Sequence, residues 1–336
     1  MDMTTPCAPR AKNHRKKALL LALMAAAAAA GAQDAASGFP AKPVTLVVPF
    51  VPGGGTDTGA RLIAQKLGDK WGKSVVVDNR GGAGGTIGSD LVARARPDGY
   101  TLLMANVGTQ AINPYLYKKM PYDSLKAFAP VSMVAELPLV LVVNPAFEAQ
   151  SIQRVVELGR QKPDALSYAS SGVGNSTHLA MEVLQAASGA RYQHIAYKGG
   201  GQANADVIAG HVPMQFTSVF GATGLIAGKK FVPLAVSSAQ RVPALPSVPT
   251  MEESGIHGAN FASWIGVMAP AGTPDAIVRK IAKDIADVVS QPDVRKSFID
   301  QGAVPRSSTP EEFAKTIGSD MQRMQKLIVD LKLQLE

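Results

Sequence analysis

The 336 residues carry a formal net charge of +8, one cysteine, 46% hydrophobic and 18% charged residues. That composition excludes a disordered chain, and a single thiol excludes an internal disulfide framework or a zinc site built on several thiolates. The length exceeds one ordinary core and predicts two domains or one large one.

The N-terminus changes the meaning of the charge. Arg10, Lys12, Arg15, Lys16 and Lys17 stand against one acid, Asp2, and Ala18–Ala30 follows as an uncharged run of 13 residues. A bilayer takes roughly 20 apolar residues. The pattern therefore predicts a secretory signal peptide over residues 1–32, with Ala30-Gly31-Ala32 as the small-x-small cleavage site and Gln33 as the mature start. Cys7 precedes the apolar run, whereas a lipidated cysteine would follow it. Cleavage removes that cysteine and leaves 29 Lys+Arg against 25 Asp+Glu, a net of +4. The expected product is an exported, thiol-free protein that reaches a membrane only through partners.

Short β-rich runs then alternate with helical patterns, the signature of an α/β fold. Val44–Pro49 reads as a buried strand, followed by a Gly-rich turn and a helix carrying Ala60, Ile63, Ala64 and Leu67. Ser74–Asp78 and Tyr100–Ala105 are further strands, with a helix around Ser89–Ala95 between them. The later strand candidates are Val131–Ala135, Leu139–Val143, Ser167–Ser170, Tyr192–Ala196, Met214–Phe216, Val232–Val236 and Ile265–Ala269. Thr273 is placed to N-cap a helix with Pro274 at its first position and Ile277, Ile281, Ile285 and Val288 on one face. Thr309-Pro310-Glu311-Glu312 is a capping box, and Phe313, Ile317, Met321, Met324, Ile328, Leu331 and Leu335 continue the last helix as a core-facing stripe.

Several chemistries fail on spacing. Gly68–Ser74 has three residues between its glycines where a phosphate loop needs four, and it precedes a strand. No G-x-G-x-x-G follows a predicted strand. His14, His178, His194, His211 and His257 form no i, i+4 pair, so neither a metal nor a cofactor is expected. The basic residues are scattered and not interleaved with aromatics, which argues against nucleic acid. A serine hydrolase is the enzymatic alternative, because Ser170, Ser171, His178 and Asp206 supply the residue types, with Ser171 and His178 as the working pair. Tyr168-Ala169-Ser170-Ser171-Gly172, however, is not the G-x-S-x-G of a nucleophile elbow. The chain is read as a non-enzyme.

What remains is a set of loops rich in Gly, Ser, Thr and Asn between strands and helices. They are Pro49–Asp57, Asn106–Thr109, Ser170–His178 and Tyr197–Gly201. Glycine permits close backbone approach, and a helix N-terminus presents unpaired N–H groups to an anion. In open α/β sheets such loops converge beyond the strand ends. Four of one kind point to a binding protein. Asp57 and His178 are read as bracing residues, because a carboxylate beside an anion site is electrostatically unfavourable.

These residues resemble the Bug family, the periplasmic solute receptors of tripartite tricarboxylate transporters. Pro49–Arg61 is similar to its P-F-x-P-G-G-x-x-D-x-x-A-R pattern, and Val77–Gly85, Pro97–Leu103, Ile112-Asn113-Pro114, Tyr168–His178, Tyr197-Lys198-Gly199, Pro246–Glu253 and Trp264–Pro274 also fit. The resemblance covers essentially the whole chain after the signal peptide. It implies a two-lobed periplasmic binding fold of type II, each lobe a mixed sheet flanked by helices, with a cleft between lobes. Residues 39–137 and 262–336 would form lobe one and 138–261 lobe two. It also implies a monomeric receptor that captures a small carboxylate-type anion for integral membrane transporter subunits, or an orphan receptor acting in solute sensing. Carried over, Phe50, Gly54, Gly55 and Thr56 would face the ligand from one lobe, with Asn106 and Thr109 nearby. Ser170, Ser171, Gly172 and Ser176 would face it from the other, with Gly199 and Gly200. Gln202 and Thr217 depart from the family, which commonly has proline and aspartate there. The second departure argues against an amino-acid ligand.

Overall fold

The computed structural model describes residues 38–330 together with Met1 and Leu333. The expected signal peptide with its Cys7, and the stripe residues Leu331 and Leu335, lie outside the described residues. The chain first lays down β1 (Val44–Val48), β2 (Val75–Asn79), β3 (Thr101–Asn106) and β4 (Phe128–Glu136). It then crosses to a second sheet with β5 (Leu139–Val143), β6 (Ser167–Ser170), β7 (Gln193–Ala196), β8 (Met214–Ser218) and β9 (Val232–Val236). It returns for β10 (Trp264–Pro270) and β11 (Val304–Pro305). The sheet orders are β11-β4-β10-β3-β1-β2 and β7-β6-β8-β5-β9.

Both sheets are mixed. β1 runs parallel to β2 and β3, with Leu46 opposite Val77 and Leu102, whereas β10 is antiparallel to β3 and β4. In the second sheet β6 is parallel to β7 and β8, and β5 is antiparallel to β8 and β9. The parallel steps need crossover helices. Two of these are α1 (Gly55–Trp71) and α2 (Thr86–Ala93) in the first lobe. The second lobe has α3 (Ile152–Gln161), α4 (Ser176–Ser188), α5 (Gly200–Ala209) and α6 (Val219–Ala227). After the return come α7 (Asp275–Ser290), α8 (Pro292–Asp300) and α9 (Pro310–Asp330).

Helices on both faces explain why β1 reads as a continuous apolar run. Val44, Leu46 and Val48 pack with Ile63 and Leu67 of α1 and Ile281 and Ile285 of α7. Val47, Leu103 and Ala105 belong to the opposite face, with Phe313, Ile317 and Met324 of α9. The capping box forms as read: Thr309 N–H donates to Glu312 Oε2 at 2.9 Å and Glu312 N–H to Thr309 Oγ1 at 3.1 Å.

Thr273 does not cap α7. Its hydroxyl donates back to Pro270 O at 2.8 Å, closing the turn after β10, and Pro274 occupies the N-cap position. The sequence reading also omits α3, α6, α8 and β11. α6 is apolar around most of its surface and has no periodic face to detect, while β11 is two residues long.

The two chain crossings meet. Leu137, after β4, donates its N–H to the carbonyl of Ser263, just before β10, at 2.8 Å. This backbone pair is where the lobes join. Phe220 of α6 stacks on Phe298 of α8 across the same junction, with ring centroids 5.1 Å apart.

Phe313 is fully buried, lies edge-on to Trp264 at 5.1 Å and fills the space a side chain at Gly266 would take. Phe313→Ala should cost about 3–5 kcal/mol, read as a lower urea midpoint with an unchanged slope. A loss below about 1 kcal/mol would mean that α9 is not anchored on this contact.

Candidate functional site

The first half of the site follows from β1 ending in glycines. The segment Gly53–Gly55 leads directly into α1, whose N-cap Gly54 contributes no side-chain hydrogen bond. Asp57 holds this turn in shape. Its Oδ2 accepts from Gly53 N–H and Arg61 Nε, each at 3.0 Å, and its Oδ1 accepts from Asn79 Nδ2 at 2.9 Å. The carboxylate is thus committed to bracing. The N–H groups of the first turn are left to whatever occupies the space in front.

The second half repeats the arrangement three times. α4 begins at Ser176 after N-cap Asn175, whose Oδ1 accepts from Thr177 N–H at 3.3 Å. α5 begins at Gly200, and its N-cap Gly199 gives no side-chain bond. α6 follows N-cap Ser218, whose Oγ accepts from Gly221 N–H at 3.1 Å. All four N-termini open on one small cavity between the lobes, about 40 Å³ in volume.

Phe50, Gly54, Gly55, Thr56, Asp57 and Asn106 line the cavity from the first lobe, and Ser171, Asn175, Ser176, Thr177 and Gly200 from the second. Thr217 and Ser218 of β8 add hydroxyls, and Leu137, Leu139 and Ser263 at the chain crossings form the remaining wall. No lysine, arginine or histidine is among them. A negative charge placed here would meet helix dipoles, backbone N–H groups and hydroxyls. Asp57 is the one ionisable lining group, and it is already paired.

Eight of the residues expected to face the ligand therefore come together: Phe50, Gly54, Gly55, Thr56, Asn106, Ser171, Ser176 and Gly200. The other four stand behind the lining. Thr109 exchanges hydrogen bonds with Asn106 and braces it. Ser170 is fully buried, accepts from Gly172 N–H at 3.1 Å and lies 2.6 Å from His194 Nε2. Gly172 packs on Gly84, and Gly199 on Val51. Sequence reasoning missed Leu137, Leu139, Asn175, Thr177, Ser218 and Ser263 as lining residues. Asn175 carried a signal as an N-cap type before a helical run. The residues at the crossings carried none. Thr217 had been noted only as a departure from the family pattern, and it lines the cavity.

The residues of the hydrolase alternative are not assembled. His178 Nδ1 accepts from Gly174 N–H at 3.3 Å, and Asp206 accepts from Tyr197 Oη at 2.6 Å on the far side of the lobe. Beneath the Ser170–Asn175 loop His178 stacks on His194, centroids 4.1 Å apart, and His194 stacks on Tyr168 at 4.9 Å. Burial, reinforced by the neighbouring His194, pushes the His178 imidazole down to about 3. Burial alone lowers His194 to about 4. Both rings are neutral at ordinary pH, which lets His178 Nδ1 accept a hydrogen bond from the backbone. Burial raises Glu182, against the hydrogen bonds it receives from Tyr168 and Gln185. Among the described residues no group of three His, Cys, Asp or Glu side chains is placed to hold a metal, and no helix is long and apolar enough to cross a membrane.

Residues 59–333 match the family described as "Tripartite tricarboxylate transporter family receptor". The chain is 40% identical to a Pseudomonas sp. protein described as "UPF0065 protein in tcbD-tcbE intergenic region", over 88% of each chain. It is 36% identical to protein BugT of Bordetella pertussis, over 86% of this chain and 89% of that one. Among solved structures it superposes on the periplasmic binding protein BugD with a TM-score of 0.85 at 33% identity, covering 88% of this chain and 100% of the other. A Rhodopseudomonas palustris protein solved with adipate gives 0.86 at 33% identity, with 88% and 100% coverage. MatC of the same organism, solved with bound malate, gives 0.83 at 30%, with 86% and 100% coverage.

The buried imidazoles give stability a definite pH dependence. A histidine titrating near 6.5 when unfolded and near 3–4 when folded leaves the unfolded chain binding more protons in between. Their stabilising contribution is complete above about pH 6.5 and is lost as pH falls toward 4, at up to about 1.4 kcal/mol per pH unit for each ring. Glu182 acts oppositely, its raised value favouring the fold below its ordinary 4.5 and losing that contribution as pH rises. The thermal midpoint should therefore decline from pH 6.5 to 4, and less steeply in His194→Gln. Equal slopes in the two proteins would remove His194 as a source of the effect.

Proposed function

Because this chain belongs to the tripartite tricarboxylate transporter receptor family, a family of solute-binding proteins, we propose that its solute is a small organic carboxylate. The observation that carries this reading is the convergence of four helix N-termini on a cavity lined by no basic side chain. Such a site suits an anion small enough to be wrapped by backbone N–H groups and hydroxyls. The adipate and malate held by two structural neighbours support the class. The proposed contact set is Phe50, Gly54, Gly55, Thr56, Asn106, Ser171, Ser176 and Gly200, with Asn175, Thr177 and Thr217 added.

The mechanism proposed is capture followed by closure, without covalent chemistry. Lobe one is taken as residues 39–137 and 262–336 and lobe two as 138–261, with the Leu137–Ser263 backbone pair as the hinge. The solute enters between open lobes, exchanges its water for N–H groups from both, and so favours the closed form by its differential affinity. The closed receptor presents both rims together to membrane transporter subunits. The basic, then apolar N-terminal segment supports export to the periplasm.

The test is calorimetry and thermal shift on protein stripped of solute by unfolding and refolding, against mono-, di- and aromatic carboxylates. A true ligand at 100 times its Kd should stabilise by about 2.7 kcal/mol. Ser171→Ala should weaken that ligand by about tenfold, the loss of one hydrogen bond to a charged group, and the solute should be recovered unchanged. A silent panel would refute the carboxylate class.

A further inference from the structure

The loop that enters α4 touches both lobes. Its last residue, Asn175, lines the cavity with Ser176 and Thr177. The three residues before it, Gly172–Gly174, form a tongue that crosses to the first lobe. The Val173 carbonyl accepts from Tyr117 Oη at 3.2 Å. Asn113 Nδ2 donates to Gly84 O at 3.0 Å, fixing the opposite side of the slot in which the tongue sits. The fit leaves no spare volume. A Cβ at Gly84, where φ is +61°, would strike the Val173 carbonyl oxygen, and one at Gly174, where φ is +78°, would strike Asn113 Oδ1. Only glycine serves at either position.

From its own lobe the tongue is held by histidine. His178 Nδ1 accepts the Gly174 N–H at 3.3 Å, and the His178 ring lies flat on His194, interplanar angle 12°. His194 reaches Ser170 Oγ at 2.6 Å, and that oxygen accepts the Gly172 N–H. Neither Tyr117 nor His178 lines the cavity.

We propose that Tyr117 and His178 are positioning residues for solute capture, gripping the Gly172–Gly174 tongue from opposite lobes and so coupling cleft closure to the placement of the Asn175–Thr177 N–H groups. The coupling to capture rests on the reading of those N–H groups as solute contacts, while the grip itself does not. Parting the lobes would return both Tyr117 Oη and the Val173 carbonyl to water, so only the difference between a protein and a water hydrogen bond would act on closure. That difference corresponds to about threefold to tenfold in the closed population, and it falls on dissociation because the bond exists only after closure.

Two arms test this on the full processed chain. In the first, adipate and malate are titrated into stripped wild type and Tyr117→Phe, which keeps the ring and removes the donor. Kd should rise about threefold to tenfold, mainly through a faster off-rate, with the thermal midpoint of the stripped protein unchanged. Wild-type affinity and off-rate in Tyr117→Phe would overturn the closure half of the grip. In the second arm, hydrogen exchange is followed in the stripped protein over the peptide spanning 172–178. His178→Leu should speed exchange at Gly174, and His178→Asn, whose Oδ1 reaches the place of Nδ1, should restore most of the protection. Exchange at the wild-type rate in His178→Leu, or no recovery in His178→Asn, would overturn the histidine half. Should His178→Leu fail to fold, His178→Asn against wild type and the Tyr117→Phe arm still decide. If neither adipate nor malate binds wild type, the tightest-binding carboxylate of the panel above takes their place in the first arm; a silent panel refutes the carboxylate reading and with it the coupling to capture, while the exchange arm judges the histidine grip separately.

Discussion

The constraint on which this protein depends is that helix N-termini from two separate sheets must face one space without a cationic side chain among them. Each N-terminus leaves backbone N–H groups unpaired. α1 and α5 follow glycine N-caps that supply no side-chain bond, while Asn175 and Ser218 satisfy one donor each at α4 and α6. The resulting field is positive yet neutral in formal charge. Such a site discriminates by geometry, because N–H directions are set by the helices and the helices by the cores beneath them. Asp57 fits this scheme as a brace, its charge absorbed by Arg61, Asn79 and the Gly53 N–H.

Glycine has a second role at the lobe contact. Gly53 and Gly54 face Gly201 and Gly200 backbone to backbone. Val51 N–H reaches the Lys198 carbonyl at 3.4 Å on that side, and Tyr117 meets Val173 on the other. Two lobes that touch through bare backbone can approach closely enough for the helix N-termini of both to border one small cavity. Apolar side chains also meet between the lobes at the other end, where Phe220 stacks on Phe298 beside the Leu137–Ser263 crossing.

The histidines show how function-bearing geometry can rest on residues that never reach the site. Burial holds His178 and His194 neutral, and neutrality makes His178 Nδ1 an acceptor. Isolated in the sequence, His178 and Ser171 suggested a nucleophile and its base. In the fold the serine beside an imidazole is Ser170, and it is sealed under the loop with its oxygen committed to Gly172. The same residue types serve as scaffold because no substrate can reach them.

Much of the architecture was legible in the chain itself, because it depends on local rules. Apolar runs of five or six residues marked β1, β3, β5 and β10, the Thr309–Glu312 box marked the start of α9, and glycine before a helix marked turns that line the cavity. The fold class and eight of the cavity residues followed from those signals and from the family's motifs. The tertiary structure decided which sheet each strand joined, since β4 and β5 are separated by two residues yet belong to different lobes. It placed Leu137 and Ser263 side by side across more than a hundred residues of chain, where no local pattern could pair them. It also ranked the loop residues. Ser171 faces the cavity while Ser170 faces the core, because alternate residues at a strand end point to opposite sides, and only the packed sheet says which side is inside.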